Sequence, residues 1–122
     1  MVLESPAVVV FLDHRPLFPG HCLVVPREHV DTLGDLPAAL TAPLFDTAAA
    51  VARALERALG AEGSFVAVNN RVSQSVPHLH VHVVPRRRGD GLRGFFWPRG
   101  RYESPEAMEE TRARIARALA DG

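Results

Sequence analysis

The sequence predicts an α+β fold, in which an antiparallel sheet of about five short strands is covered on one face by a long helix. Three observations indicate this fold. Short segments rich in β-branched residues are separated by turn residues, one stripe of apolar residues follows a helical period, and the elements run in the order strands, helix, strands, helix. The 122 residues are 47% hydrophobic and 23% charged, the balance of an ordinary globular domain.

The N-terminal part of the chain predicts three extended segments. Val2 to Glu4 is a short one that ends at a Ser-Pro turn. Ala7 to Asp13 is β-branched and aromatic, which is typical of a buried strand, and His21 to Pro26 is predicted to be the next strand. Because the loop between these two strands is short and contains proline and glycine, we expect them to pair antiparallel.

A long helix is predicted next. Its apolar stripe recurs at steps of three and four residues and is formed by Leu40, Leu44, Ala48, Val51, Leu55 and Leu59. We expect Thr41 to cap the helix, and Pro37 and Pro43 to lie in or before first turns, because an interior proline breaks a helix. Gly60 and Gly63 are predicted to end it.

The C-terminal half predicts two more strands and a second helix. The strands are Ser64 to Asn69 and His78 to Val84. A Gly- and Arg-rich loop follows over Arg86 to Arg101, and within it Phe95 to Trp97 is interpreted as buried packing or a dimer contact. Ser104 is expected to cap a short amphipathic helix that begins with a proline.

The composition excludes several classes of protein. Basic and acidic residues number 14 each, so the net charge is zero and a nucleic-acid binder is not expected. Cys22 is the one cysteine, which excludes an intrachain disulfide and a cysteine-rich zinc module. The apolar runs are shorter than the ~18 residues of a membrane span, so no membrane partner is expected and the predicted location is the cytoplasm.

The most informative segment contains three alternating histidines. Side chains on a strand alternate between faces, so His78, His80 and His82 are predicted to share one face while the intervening residues pack on the core. Two chemistries fit three imidazoles on one face. One is a metal site, with His21 and Asp13 as further ligands. The other is nucleophilic attack on phosphorus by one imidazole, assisted by its neighbours and by donors of the preceding polar loop.

The histidine segment and its flanks resemble the histidine-triad (HIT) family. HLHVHVV matches the family's alternation of histidine and apolar residues, and it is preceded by Gln74-Ser75-Val76. Upstream, FLDHRPLFPGHCLVVPREHV is similar to the family's strand, loop and strand with a Pro-Gly-His turn. The resemblance covers roughly Val2 to Arg88. It implies one HIT domain over residues 1–122, with an HIT-like antiparallel sheet and Arg86–Gly122 as an Arg-rich loop and helix.

The resemblance also implies roles for individual residues. His80 is expected to be the nucleophile that attacks the α-phosphorus of a nucleotide, with His82 stabilising charge on the phosphate and His78 orienting His80. The other expected site residues are Ser75 at the phosphate or leaving group, Asp13 at the ribose, Asn69 and Gln74 along the phosphate path, and His21 as a neighbour of the triad.

The implied activity is hydrolysis of a nucleoside phosphoramidate or a dinucleoside polyphosphate, through a nucleotidyl-histidine intermediate. The expected partners are a purine nucleotide and a second copy of the chain in a homodimer. No cofactor held by the protein is expected, although a divalent cation can enter with a polyphosphate substrate. The alternative function is a nucleotide-binding regulatory module with vestigial activity.

Overall fold

The computed structural model describes residues 1–93 and 99–122, so the predicted contact of Phe95 to Trp97 lies outside the described residues. The elements in chain order are β1 (Leu3–Glu4), β2 (Val8–Leu12), β3 (Cys22–Pro26), a 3₁₀ turn (Leu33–Asp35), α1 (Ala38–Leu59), β4 (Gly63–Ala67), β5 (Val81–Arg86) and α2 (Pro105–Asp121). Residues 1–90 and 91–122 form two compact units, which are described separately here. The single domain over residues 1–122 stays a prediction.

The five strands form one antiparallel sheet in the order β1-β2-β3-β5-β4, which confirms the predicted fold class. β2 and β3 pair directly, with Val10 opposite Val24. β5 lies between β3 and β4, so the strand that follows the histidine segment is central in the sheet. β1 and β4 are the edge strands of this unit.

Helix α1 covers one face of the sheet with four of the six residues of its predicted apolar stripe, whereas Leu40 is partly exposed and Leu59 is exposed. The buried core is formed by Leu44, Ala48, Val51 and Leu55 of the helix and by Val8, Val10, Val24, Leu79, Val81 and Val83 of the sheet side. By length and composition alone, α1 is also apolar enough to cross a membrane. Its buried stripe on the sheet gives it the properties of a core helix instead.

Two predictions about α1 are wrong. The helix begins at Ala38 with Pro37 at the N-cap, so Thr41 is inside the helix and caps nothing, and Pro43 is an interior proline. Because proline has no N–H, Pro43 leaves the carbonyl of Ala39 without its helical donor. Ala39 is exposed, so water can reach that carbonyl, and this accommodates the proline near the helix start.

Strand β5 also differs from the prediction, since it begins at Val81 and not at His78. Pro26, the last residue of β3, has no N–H to donate, and its carbonyl oxygen accepts a hydrogen bond from Nε2 of His78 at 2.9 Å. The N–H of Leu79 donates to the carbonyl of Val30 at 2.6 Å. The ladder with β3 therefore cannot extend through the first two histidines.

Arginines at the start of the Arg-rich segment form ion pairs and a hydrogen bond near the C-terminal ends of α1 and β5. Arg86 forms an ion pair with Asp90 at 2.6 Å, and Arg88 forms one with Glu62 at 2.8 Å. Arg87 donates to the carbonyl of the last residue of α1, where it acts as a C-terminal cap. These three guanidinium groups are therefore engaged in holding the chain together.

The unit of residues 91–122 contains α2. The predicted cap is confirmed, since the N–H of Ala107 donates to Oγ of Ser104 at 3.0 Å and Pro105 is the first helical residue. The helix has no buried residue in the part of the chain that the structure describes, and its apolar side chains Met108, Ile115 and Leu119 are exposed.

Candidate active site

The histidine segment faces a cavity of about 320 Å³ on the side of the sheet opposite α1. The predicted alternation is confirmed, because Leu79, Val81 and Val83 are fully buried while the three histidines are partly exposed. The cavity is lined by Phe11, Leu12, Asp13, His14, Leu23, Val25, Ser75, Val76, His78, His80 and His82. The fold thus brings five of the eight predicted site residues into one cavity.

The hydrogen bond of His80 fixes which of its nitrogens carries the proton. Nδ1 of His80 lies 2.8 Å from the backbone carbonyl oxygen of His78, and a carbonyl oxygen can only accept. Nδ1 is therefore the donor, and in the neutral ring Nε2 keeps a free lone pair. An imidazole held in this tautomer is equipped to act as a nucleophile through Nε2.

Two consecutive hydrogen bonds, from Leu17 to His21 and from His21 to His82, determine which ring nitrogen of His82 carries the proton. The N–H of Leu17 donates to Nδ1 of His21 at 3.1 Å, so the proton of neutral His21 resides on Nε2. That nitrogen lies 2.9 Å from Nδ1 of His82 and donates to it. The proton of neutral His82 is consequently on Nε2, which is buried and has no partner among the described residues. His82 therefore offers an unused N–H donor.

The turn before β3 places His21 in this chain. Gly20 has a φ of +103°, and a Cβ at this position would lie 2.5 Å from Cδ1 of Leu59. Only glycine fits both the backbone conformation and the close approach of α1. The N–H of His21 then donates to the carbonyl of Phe18 at 3.0 Å, which closes the turn and directs the ring toward β5.

Burial keeps the two linked rings neutral. It lowers the pKa of His21 below the ordinary value of 6.5, and the nearby Asp13 carboxylate opposes this to a smaller extent. Burial also lowers the pKa of His82, with further lowering by the neighbouring rings of His80 and His21. Neutral rings are what the donor chain requires, because a second proton on either ring would place two donors face to face.

Asp13 directly follows β2 and lines the cavity. One carboxylate oxygen accepts from the N–H of Arg15 at 2.9 Å, and the other lies 3.8 Å from Nε2 of His21. The ligand atoms of Asp13, His21 and His82 all lie within 4.8 Å of one another, so these three residues could also hold a metal ion. The sequence predicts no metal, and the nitrogens concerned already hydrogen-bond to each other.

Three predicted site residues, His21, Asn69 and Gln74, lie outside the cavity lining, and His21 reaches the site through its hydrogen bond to His82. The side chain of Gln74 accepts from the N–H of Arg71 at 2.8 Å and donates to the carbonyl of Asp31 at 2.6 Å, so it braces the loop before the triad. Asn69 follows β4 and is exposed, whereas the neighbouring Asn70 accepts from the N–H of Leu33 at 2.8 Å. Ser75 does line the cavity, as expected for a phosphate contact.

Sequence reasoning missed the apolar wall of the cavity and one histidine contact. Leu23 and Val25 alternate with the buried residues of β3, so the period of the strand could have placed them on the triad face. His29, which lies in the loop after β3, contacts His78, with 3.1 Å between the two Nδ1 atoms. No periodic pattern connects these two positions.

This sheet, its single covering helix and the histidine-lined cavity define a HIT domain. The HIT domain family matches residues 1–89, and the chain belongs to this family. Among solved structures, the protein is similar to a member of the HIT family from Bacillus subtilis, with a TM-score of 0.83 and 29% identity, over 95% of this chain and 84% of that one.

Two curated relatives extend the comparison. The chain is 35% identical over 82 residues to the asymmetrical bis(5'-nucleosyl)-tetraphosphatase of Schizosaccharomyces pombe, covering 66% of this chain and 45% of the relative. It is 38% identical over 88 residues to the bifunctional bis(5'-adenosyl)-triphosphatase/adenylylsulfatase FHIT of Arabidopsis thaliana, covering 70% and 49%. This chain spans about half the length of these two relatives.

The lowered pKa values of His21 and His82 predict a pH-dependent stability. Between the folded pKa and 6.5, the unfolded chain binds more protons than the folded one, so the free energy of unfolding decreases as the pH falls through that window. Urea unfolding at several values from about pH 7.5 to about pH 5.5 measures this decrease. His21→Gln is expected to reduce the slope, and an equal slope in both proteins would contradict the assignment.

Proposed function

We propose that this protein is a nucleotide hydrolase that cleaves at the α-phosphate through a covalent nucleotidyl-His80 intermediate. The observation that carries the proposal is the hydrogen bond from Nδ1 of His80 to the carbonyl of His78, which leaves Nε2 unprotonated. The names of the two curated relatives, a nucleosyl-tetraphosphatase and an adenosyl-triphosphatase/adenylylsulfatase, support a nucleotide as the substrate.

The reaction has two displacements. In the first, the lone pair of Nε2 of His80 attacks the α-phosphorus, the bond from phosphorus to the leaving group breaks, and the leaving group departs with that electron pair. A phosphate leaves as an anion, whereas the nitrogen of a phosphoramidate takes up a proton from solvent as the bond breaks and leaves as a neutral amine. In the second, water attacks the same phosphorus, the P–N bond breaks, and the electron pair returns to Nε2. One proton of the water passes to solvent, and a nucleoside monophosphate is released.

His82 and Ser75 would stabilise the charge that develops on phosphorus. The unused Nε2–H of His82 is a fixed donor in a buried position, where a hydrogen bond to an anionic oxygen is stronger than in water. Ser75 lines the same cavity, and its hydroxyl could donate to a second oxygen or to the leaving group. The His82 donor is held in place before the charge develops, so it requires little reorganisation.

The rest of the cavity suits a purine nucleoside. Phe11, Leu23 and Val25 line it as an apolar wall against which a flat base can pack. The Asp13 carboxylate lines the same cavity and can accept hydrogen bonds from both ribose hydroxyls. The alternative function is a nucleotide-binding module with vestigial activity, which would use the same wall and carboxylate.

Substitution of the nucleophile separates these two functions. His80→Ala is expected to abolish turnover while nucleotide affinity changes by less than about tenfold, ~1.4 kcal/mol, because the nucleophile acts in the transition state. Turnover is measured on adenosine phosphoramidate and on dinucleoside tri- and tetraphosphates, and affinity by calorimetry with AMP. A trapped adduct, acid-labile and alkali-stable as a P–N bond requires, should map to the peptide containing His80.

Asp13→Ala is the matched comparison. It should weaken nucleotide binding through lost ribose contacts and affect the chemical step less. The hydrolase proposal is wrong if the wild-type protein binds nucleotide tightly, yet gives neither an adduct nor turnover on any of these substrates. The binding-module function would then replace it.

We also propose that catalysis needs no metal ion held by the protein, because the nitrogens of His21 and His82 that face each other are joined by a hydrogen bond. Exhaustive chelation is therefore expected to leave folding and phosphoramidate hydrolysis unchanged. A phosphoramidate is the substrate of choice, because a polyphosphate can bring its own divalent cation. Stoichiometric zinc that is lost together with activity would establish the metal-site chemistry instead.

A homodimer is proposed from the exposed edge of the sheet. β4 is an edge strand, and Val66 on it is 47% exposed, which favours pairing with a second copy. Light scattering should give twice the mass of the chain, and Val66→Lys should lower that mass more than Leu3→Lys on the opposite edge strand. A wild-type monomer would exclude the dimer. The cytoplasmic location and the absence of membrane and nucleic-acid partners stay predictions of the sequence.

A further inference from the structure

Two loops bring a second group of ionisable side chains to the cavity. His29 and Asp31 lie in the loop after β3, and His78 lies just before β5 and lines the cavity. Nε2 of His29 is 2.8 Å from a carboxylate oxygen of Asp31, and Nδ1 of His29 is 3.1 Å from Nδ1 of His78. Nε2 of His78 is 2.9 Å from the carbonyl oxygen of Pro26.

The acceptors around the two rings set the number of protons. A carboxylate and a carbonyl oxygen can only accept, so Nε2 of His29 and Nε2 of His78 must each carry a proton. The contact between the two Nδ1 atoms needs one more proton, on either ring. Three protons on two imidazoles give the pair one net positive charge, which the Asp31 carboxylate opposes.

The loss of the third proton would break this arrangement. Two unprotonated Nδ1 atoms would then face each other at hydrogen-bond distance, and their lone pairs would repel. The side chain of His29 is 70% exposed and can rotate into solvent, whereas His78 would keep only its bond to Pro26. The charge of the pair and one of the two hydrogen bonds that hold the His78 ring are therefore lost together.

The pair is connected to the nucleophile through the backbone. The carbonyl that accepts from Nδ1 of His80 belongs to His78, the residue whose ring the pair holds. The other ionisable residues that line the cavity with His78 are Asp13, His14, His80 and His82. Arg71 and Asp35 line a neighbouring cavity with Asp31. In the described part of the chain, the ionisable side chains bonded to the pair are its own two rings and Asp31.

We propose that His29 is a positioning residue of the site, which shares a proton with His78, holds the backbone that orients His80, and places a positive charge at the edge of the cavity. This inference rests on the proposed hydrolase function. A positive charge there stabilises an anionic leaving group, so it should raise kcat/KM most for dinucleoside polyphosphates. The increase should be smaller for phosphoramidates, because their amine leaving group is not anionic.

The proton count can be measured without turnover. Long-range ¹H–¹⁵N correlation spectra of protein labelled with ¹⁵N-histidine distinguish protonated from unprotonated ring nitrogens, and His29→Asn assigns the signals. At the pH of highest activity, three of the four ring nitrogens of His29 and His78 should be protonated. Two neutral rings at that pH would overturn the proposal, whatever the activity of the protein.

Kinetics then test the role of the charge. His29→Asn keeps an amide donor near the position of Nδ1 but removes the positive charge. The variant is expected to lower kcat/KM for both substrates, and the decrease for diadenosine tetraphosphate should be about fivefold larger than that for adenosine phosphoramidate. His29→Arg keeps a positive charge and should restore the wild-type ratio. Glu28→Gln, which changes a neighbouring exposed charge, is the matched control and should leave the ratio unchanged.

Rescue distinguishes positioning through the shared proton from a merely structural role. A structural role would lower kcat/KM for both substrates equally in His29→Asn, and His29→Arg would not restore the wild-type ratio. That pair of results would overturn the proposal. If no substrate is turned over, the proposed hydrolase function fails, and the NMR count alone then decides whether the proton is shared.

Discussion

The antiparallel pairing of β3 with β5 is the constraint on which the site depends. Its register places Leu23 opposite His82, so the residue before β3, His21, reaches the imidazole of His82 from the neighbouring strand. The same pairing ends where Val24 lies opposite Val81, and the carbonyl of Pro26, at the end of β3, accepts a hydrogen bond from the ring of His78. One strand pair therefore positions two of the three alternating histidines, one at each end of β3.

The site contains two hydrogen-bonded pairs of histidines, which differ in their exposure to solvent. His21 and His82 are deep enough that burial disfavours a charge, and a single backbone N–H at their outer end suits two neutral rings. His29 and His78 lie at the surface, where water and Asp31 can solvate a charge, and both outer partners of this pair are acceptors. The neutral pair leaves Nε2 of His82 without a partner among the described residues, which the proposed function assigns to an oxyanion. The positive charge proposed for the other pair would suit anions at the edge of the cavity.

Much of this architecture could be predicted from the sequence because it follows from periodicity. The alternation from His78 to His82 and the helical stripe of α1 each place one face on the core, and both are observed. Local features that depend on distant partners could not be predicted. The late start of β5 depends on Pro26, and the brace formed by Gln74 depends on a backbone carbonyl 43 residues away. The contact of His29 with His78 spans 49 residues and belongs to no repeating pattern.

The acceptor that fixes the tautomer of His80 is a main-chain atom. Every amino acid has a carbonyl oxygen, so no codon change at position 78 can remove this acceptor. Substitutions around the cavity would therefore change its charge and shape before they changed the tautomer of His80. Under the proposed function, substrate preference could vary widely among relatives while the proposed nucleophile kept its unprotonated Nε2.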